Sequence, residues 1–95
     1  MAIKTLPYDP VRHLTSPEAQ AELLSDAMQT GDAGYIANAL GVIARARGMT
    51  EVARGAGITR EALYRALSED GDPRLTTLLG VMRSLGFRLS VQAAE

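Results

Sequence analysis

Between Met49 and Leu67 a small residue, Ala53, is followed four positions later by Gly57 and six positions beyond that by Leu63. This spacing constrains the chain more than any other feature. It describes two short helices that cross steeply at close range. Ala53 is small enough to let the second helix approach, and Gly57 can take the left-handed conformation that a tight corner needs. Val52, Ile58 and Leu63 are placed to fill the space between the helices. The pattern is that of a helix-turn-helix, although a tight helical corner of another kind has the same local requirements.

The flanking sequence is punctuated as further helices. Ser16-Pro17 reads as an N-cap followed by proline at the first helical position, with Glu18 and Glu22 at the positive end of the helix dipole. Leu23, Leu24, Ala27 and Met28 form its apolar stripe, and Gly31 ends it. Asp32 caps a second helix with a stripe of Ile36, Ala39, Leu40 and Ile43, closed at Gly48. Thr50 is expected to cap a helix over about Glu51 to Gly55, and Thr59 one over about Arg60 to Ser68. Glu69-Asp70-Gly71-Asp72-Pro73 is a turn, followed by a helical stripe of Leu75, Leu78, Leu79, Met82 and Leu85 that Gly86 ends. Phe87 to Val91 alternates apolar and polar residues, which predicts a short strand. One strand has no partner in its own chain, so Phe87, Leu89 and Val91 are expected to pair across a homodimer axis. The prediction is an all-α, five-helix domain over 16–95, with its core in 32–86, a C-terminal strand over 87–91 and an N-terminal arm over 1–15.

Length and composition narrow the function. A chain of 95 residues has room for one domain, and 46% apolar residues are too many for a disordered chain. Cysteine is absent, which excludes disulfides, thiolate zinc sites and a cysteine nucleophile. No window is apolar enough to span a membrane, and the N-terminus lacks a secretion signal, so a cytoplasmic protein is expected. His13 is the one imidazole, in an arm that holds Pro7 and Pro10 and does not preorganise a triad with Asp9 and Ser16. Glu69, Asp70 and Asp72 lack the ligand spacing of a calcium loop. Neither a catalytic centre, a metal site nor a cofactor is expected.

Charge is segregated. The overall net charge is −1. Residues 1–34 carry Lys4 and Arg12 against Asp9, Glu18, Glu22, Asp26 and Asp32. Residues 35–65 carry Arg45, Arg47, Arg54, Arg60 and Arg65 against Glu51 and Glu61. The middle third is thus suited to a polyanion and the first third to a basic partner. On the second helix of the helix-turn-helix, Thr59, Arg60, Glu61, Tyr64 and Arg65 are expected to face outward, toward the major groove of double-stranded DNA. The arginines could fork onto guanine, Glu61 could accept from cytosine, and Tyr64 could meet a thymine methyl group or a phosphate. Thr50 and Thr59 are candidates for phosphate contacts at helix starts.

Residues 48–68 resemble the Xre, or Cro/C1-type, helix-turn-helix, and the segment from Gly71 to Gly86 resembles the end of that domain. Gly31-Asp32, the run from Ile36 to Gly48 and Arg60-Glu-Ala-Leu-Tyr64 narrow the resemblance to addiction-module antidote proteins, the HigA-like antitoxins of type II toxin–antitoxin pairs. The resemblance covers roughly residues 8–91. It implies neutralisation of a small RelE/HigB-like toxin by direct contact, and repression of the protein's own operator as a homodimer. It also implies modulation of that repression by the toxin. Met49 stands where the wider superfamily often has a phosphate-binding glutamine, so Thr50 or Arg54 would take that contact. A basic toxin would meet Tyr8, Asp9, Leu14, Glu18, Glu22 and Asp26, with Leu23, Leu24 and Met28 as possible apolar anchors. The rival readings are a phage-type or host transcriptional regulator without a toxin partner, and a protein-interaction module that has lost DNA binding.

Overall fold

A computed structural model describes residues 16–94. Within them lie five helices: α1 (Pro17–Thr30), α2 (Ala33–Arg47), α3 (Met49–Ala56), α4 (Arg60–Ala66) and α5 (Leu75–Leu85). The arm expected over 1–15 lies outside the described residues.

Local chemistry sets most of the boundaries. The Ser16 hydroxyl accepts from the Ala19 N–H at 3.1 Å, and Pro17 follows at the first helical position. Gly31, at φ 69°, ends α1. The Asp32 carboxylate then accepts from the N–H groups of Gly34 (2.9 Å) and Tyr35 (3.2 Å) and starts α2. Thr50 does not cap α3. The helix begins two residues earlier than expected, at Met49, with Gly48 as its N-cap and no side-chain cap bond. Met49 starts it by burying its side chain, while the Gly48 carbonyl accepts from Val52 at 3.1 Å. Helix α4 ends at Ala66 rather than Ser68, because Ser68 turns the chain, bonding back to Arg65 and accepting from the Gly71 N–H.

All five helices contribute to one core. Leu40, Ile43, Leu63, Leu67 and Val81 are fully enclosed, and Leu24, Met49, Val52, Met82 and Leu85 pack with them. Two helical glycines permit close approaches of one element to another. A Cβ on the buried Gly41 of α2 would lie 2.6 Å from the Leu67 carbonyl oxygen, and one on Gly80 of α5 would lie 3.3 Å from that of Ala56. The chain beyond α4 thus rests against α2, and α5 against the C-terminal end of α3.

The strand expected over 87–91 is not formed, and there is no strand among the described residues. A strand needs a hydrogen-bonded neighbour, and the described residues of the single chain form no second strand to supply one. Phe87 instead packs its half-buried ring on the core, while Leu89 and Val91 are exposed. The stripe of α5 also splits. Met82 and Leu85 are buried, whereas Leu75 and Leu79 face solvent.

Gly41→Ala decides between two opposing effects. Alanine in a helix interior gains about 1 kcal/mol in propensity, but overpacking against a backbone carbonyl costs roughly 1–3 kcal/mol. The variant is expected to unfold at lower urea concentration than the parent protein, which denaturation followed by circular dichroism will show.

Candidate functional site

The corner between α3 and α4 is built by Gly57. At φ 75° it lets its own N–H reach the Arg54 carbonyl at 3.2 Å and the Ile58 N–H reach the Ala53 carbonyl at 3.1 Å. Those bonds close α3 and turn the chain within three residues. Ile58 drops onto the core, and the Thr59 hydroxyl accepts from the Ala62 N–H at 3.0 Å to start α4. Ala53 and Leu63 are buried on the facing sides of the two helices. The small-residue, glycine and apolar spacing thus acts here as a backbone device.

Burying Leu63 commits the opposite face of α4 to solvent. Arg60, Glu61, Tyr64 and Arg65 are all exposed there. Arg60 Nη2 donates to the Tyr64 hydroxyl at 3.5 Å, and the guanidinium lies 5.6 Å from the ring centroid. The hydrogen bond to Tyr64, followed by the Tyr64 charge interaction, raises the Arg60 pKa above its ordinary value. On α3, Arg54 pairs with Glu51 at 3.0 Å, an exposed contact of little energetic weight. Thr50 is exposed in the first turn of α3, and Thr59 is exposed at the corner with its hydroxyl already capping.

A second charged surface lies on α1. Glu18, Glu22 and Asp26 recur every four residues and are exposed, while Leu24 and Ala27 are buried on the opposite side. Burial removes Leu24 as an anchor for a partner, and Leu23 and Met28 are half-buried against the core. Tyr8, Asp9, Leu14 and His13 lie outside the described residues. Glu69, Asp70 and Asp72 are exposed, and no three described His, Cys, Asp or Glu side chains converge as metal ligands. No described helix is long and apolar enough to cross a membrane.

Sequence reasoning missed the junction at the end of α2. Arg47 donates from Nε to the buried Gln20 Oε1 at 2.9 Å, and from Nη2 to the Leu85 carbonyl at 3.0 Å. A glutamine at an otherwise inward position of α1 was the available signal, but its partner lies 27 residues away.

A family model described as "Probable addiction module antidote protein" matches residues 4–93. The chain belongs to that family. An antidote is defined by the toxin it counters, so membership implies a toxin partner for this antidote protein. It is also similar to an uncharacterised protein of Haemophilus influenzae (strain ATCC 51907 / DSM 11121 / KW20 / Rd). The two are 45% identical over 88 residues, 93% of this chain and 91% of the relative. No solved structure matches the antidote protein.

The two threonines separate capping from mere presence in a first turn. Thr59→Ala is expected to cost about 1 kcal/mol of stability by removing an N-cap, whereas Thr50→Ala should leave the thermal midpoint nearly unchanged. Paired melting curves of the two variants check this.

Proposed function

We propose that this protein is the antitoxin of a type II module, of the HigA-like, Xre-type class, and that it works through two separate surfaces. Through Glu18, Glu22 and Asp26, together with Tyr8, Asp9 and Leu14, it neutralises a small basic toxin of the RelE/HigB type by direct contact. Through α3 and α4 it acts as a DNA-binding repressor of its own operon. It is a binding protein rather than an enzyme, and it works in the cytoplasm.

The observation that carries this reading is the family match over residues 4–93, taken with the exposed Arg60, Tyr64 and Arg65 on α4. On a helix laid in the major groove, Arg60 and Arg65 read guanine edges, and the backbone around the Gly57 corner lies near the phosphates. Tyr64 keeps the Arg60 fork extended along the helix. A homodimer presents two such helices to a two-fold operator. The exposed Leu75, Leu79, Leu89 and Val91 supply apolar area that a second copy would cover. The acidic face of α1 has the wrong sign for DNA and the right sign for a basic toxin. The family match also favours this reading over a regulator that lacks a toxin.

The test is a pair of assays on the same variants. Growth rescue from the co-expressed toxin reads one surface. Affinity at fixed salt for the DNA upstream of the protein's own coding sequence reads the other, since phosphate contacts make binding salt-dependent. Arg60→Ala and Arg65→Ala are each expected to weaken DNA binding by roughly 1–3 kcal/mol and to leave rescue intact. Reversal of Glu18, Glu22 and Asp26 to lysine is expected to weaken rescue and spare DNA binding. Loss of rescue in the arginine variants, with rescue retained in the lysine variant, would place the toxin on the α4 face instead.

A further inference from the structure

Gln20 is the one buried polar or charged residue among those described, and it lies on α1. Its carboxamide oxygen accepts from Arg47 Nε at 2.9 Å. Arg47 is the last residue of α2, and its Nη2 donates to the carbonyl of Leu85, the last residue of α5, at 3.0 Å. The same guanidinium lies 5.9 Å from the centroid of the Phe87 ring. Phe87 is held in turn by its N–H, which donates to the Met82 carbonyl at 2.8 Å beside the Gly86 N–H on Arg83 at 3.0 Å. One side chain therefore touches α1, the end of α5 and the start of the C-terminal segment, elements remote from one another in sequence.

We propose that Arg47 couples the seating of α1 to the order of the C-terminal segment from Gly86 onward, so that the two change together. The Leu85 carbonyl is one of the groups that a helix end leaves without an internal partner, and a cation there is favoured by the helix dipole. A guanidinium is a rigid planar fork, so fixing Nε on Gln20 orients Nη2 and the face that meets Phe87. If α1 lifts away, Arg47 loses its Gln20 contact, and its hold on Leu85 and Phe87 weakens by the free energy of coupling between the two sites. The coupling is reciprocal. Whatever holds α1 in place orders the C-terminal segment, and whatever covers that segment holds α1.

This coupling stands on the contacts of the chain itself. Its regulatory consequence rests on the function proposed above. A basic partner seated on the acidic face of α1 would favour the ordered C-terminal segment, and with it a second copy docked on Leu89 and Val91.

Amide hydrogen exchange of the full chain, read residue by residue by NMR, tests the coupling without any partner. Gln20→Leu removes the acceptor while keeping an inward side chain of similar size. Exchange at Gly86 and Phe87 should quicken about fivefold, the order expected for the loss of one hydrogen bond. Arg47→Met should have at least that effect, and adding Gln20→Leu to it should change Gly86 and Phe87 no further. Amides of Leu40 and Ile43 report global opening. If they quicken as much as Phe87 in Gln20→Leu, the comparison passes to Gln20→Glu, which keeps an acceptor and must retain the protection of Phe87. Unchanged exchange at Gly86 and Phe87 in Gln20→Leu overturns the proposal. So do additive effects of the two substitutions, or loss of protection in Gln20→Glu. Each of these outcomes leaves the toxin and DNA assays unaffected, so the coupling and the proposed function fail separately.

Discussion

Helices of eight and seven residues do not persist alone in water, where isolated helices shorter than about 12 residues are marginal. Both α3 and α4 exist because their inner faces are buried together in the common core, with α3 also packed against α5. Val52, Ala53 and Leu63 are withdrawn from solvent, and Gly80 lets α5 approach the backbone at the end of α3. The left-handed Gly57 then leaves α4 one direction in which to run. The outward face of α4 follows from that packing. With Leu63 committed to the core, Arg60, Tyr64 and Arg65 have only the outside left to occupy.

The same logic divides the charge. Helix α1 is amphipathic with an acidic outer face, and α4 is amphipathic with arginines outermost. Each face is dictated by what lies behind it, Leu24 and Ala27 in one case and Leu63 in the other. Screening limits exposed charges to a range of about 8 Å at physiological salt, so two faces of opposite sign on a small protein can act on different partners. The function proposed above calls for such a division, because a single surface complementary to a basic partner repels a polyanion. Arg47 is the exception among the arginines described. Part of its charge is directed inward, to Gln20, Leu85 and Phe87, where it joins elements instead of recruiting a partner.

Features decided within one turn of chain were legible in the sequence alone. Ser16, Asp32 and Thr59 cap their helices, and Gly31, Gly48, Gly57 and Gly86 end them or turn the chain, because a cap or a left-handed turn is made by residues only a few positions apart. The boundaries of α5 and the outward residues of α4 were legible for the same reason, since periodicity and one buried leucine suffice to orient a short helix. The family was legible too, carried by the runs around Gly31, Ile36 and Arg60.

Tertiary structure decided the rest. Whether the N-cap of α3 is Gly48 or Thr50 depends on Met49 finding a place in the core, and Thr50 has no say in that. Leu75 and Leu79 share the periodicity of Met82 and Leu85 but are left uncovered, because a stripe states which residues are apolar and not how wide a surface the neighbours can cover. The alternation at 87–91 does not become a strand, since pairing requires a second strand and the described residues of the single chain form none. The bonds from Arg47 to Gln20 and to Leu85 span 27 and 38 positions, and no local pattern encodes a pair at such separations. The sequence by itself thus determined the caps, the corner and the outward charges, which depend on bonds a few residues long. Only the packed chain decided which apolar faces are covered and which polar groups meet, because those depend on elements that folding alone brings together.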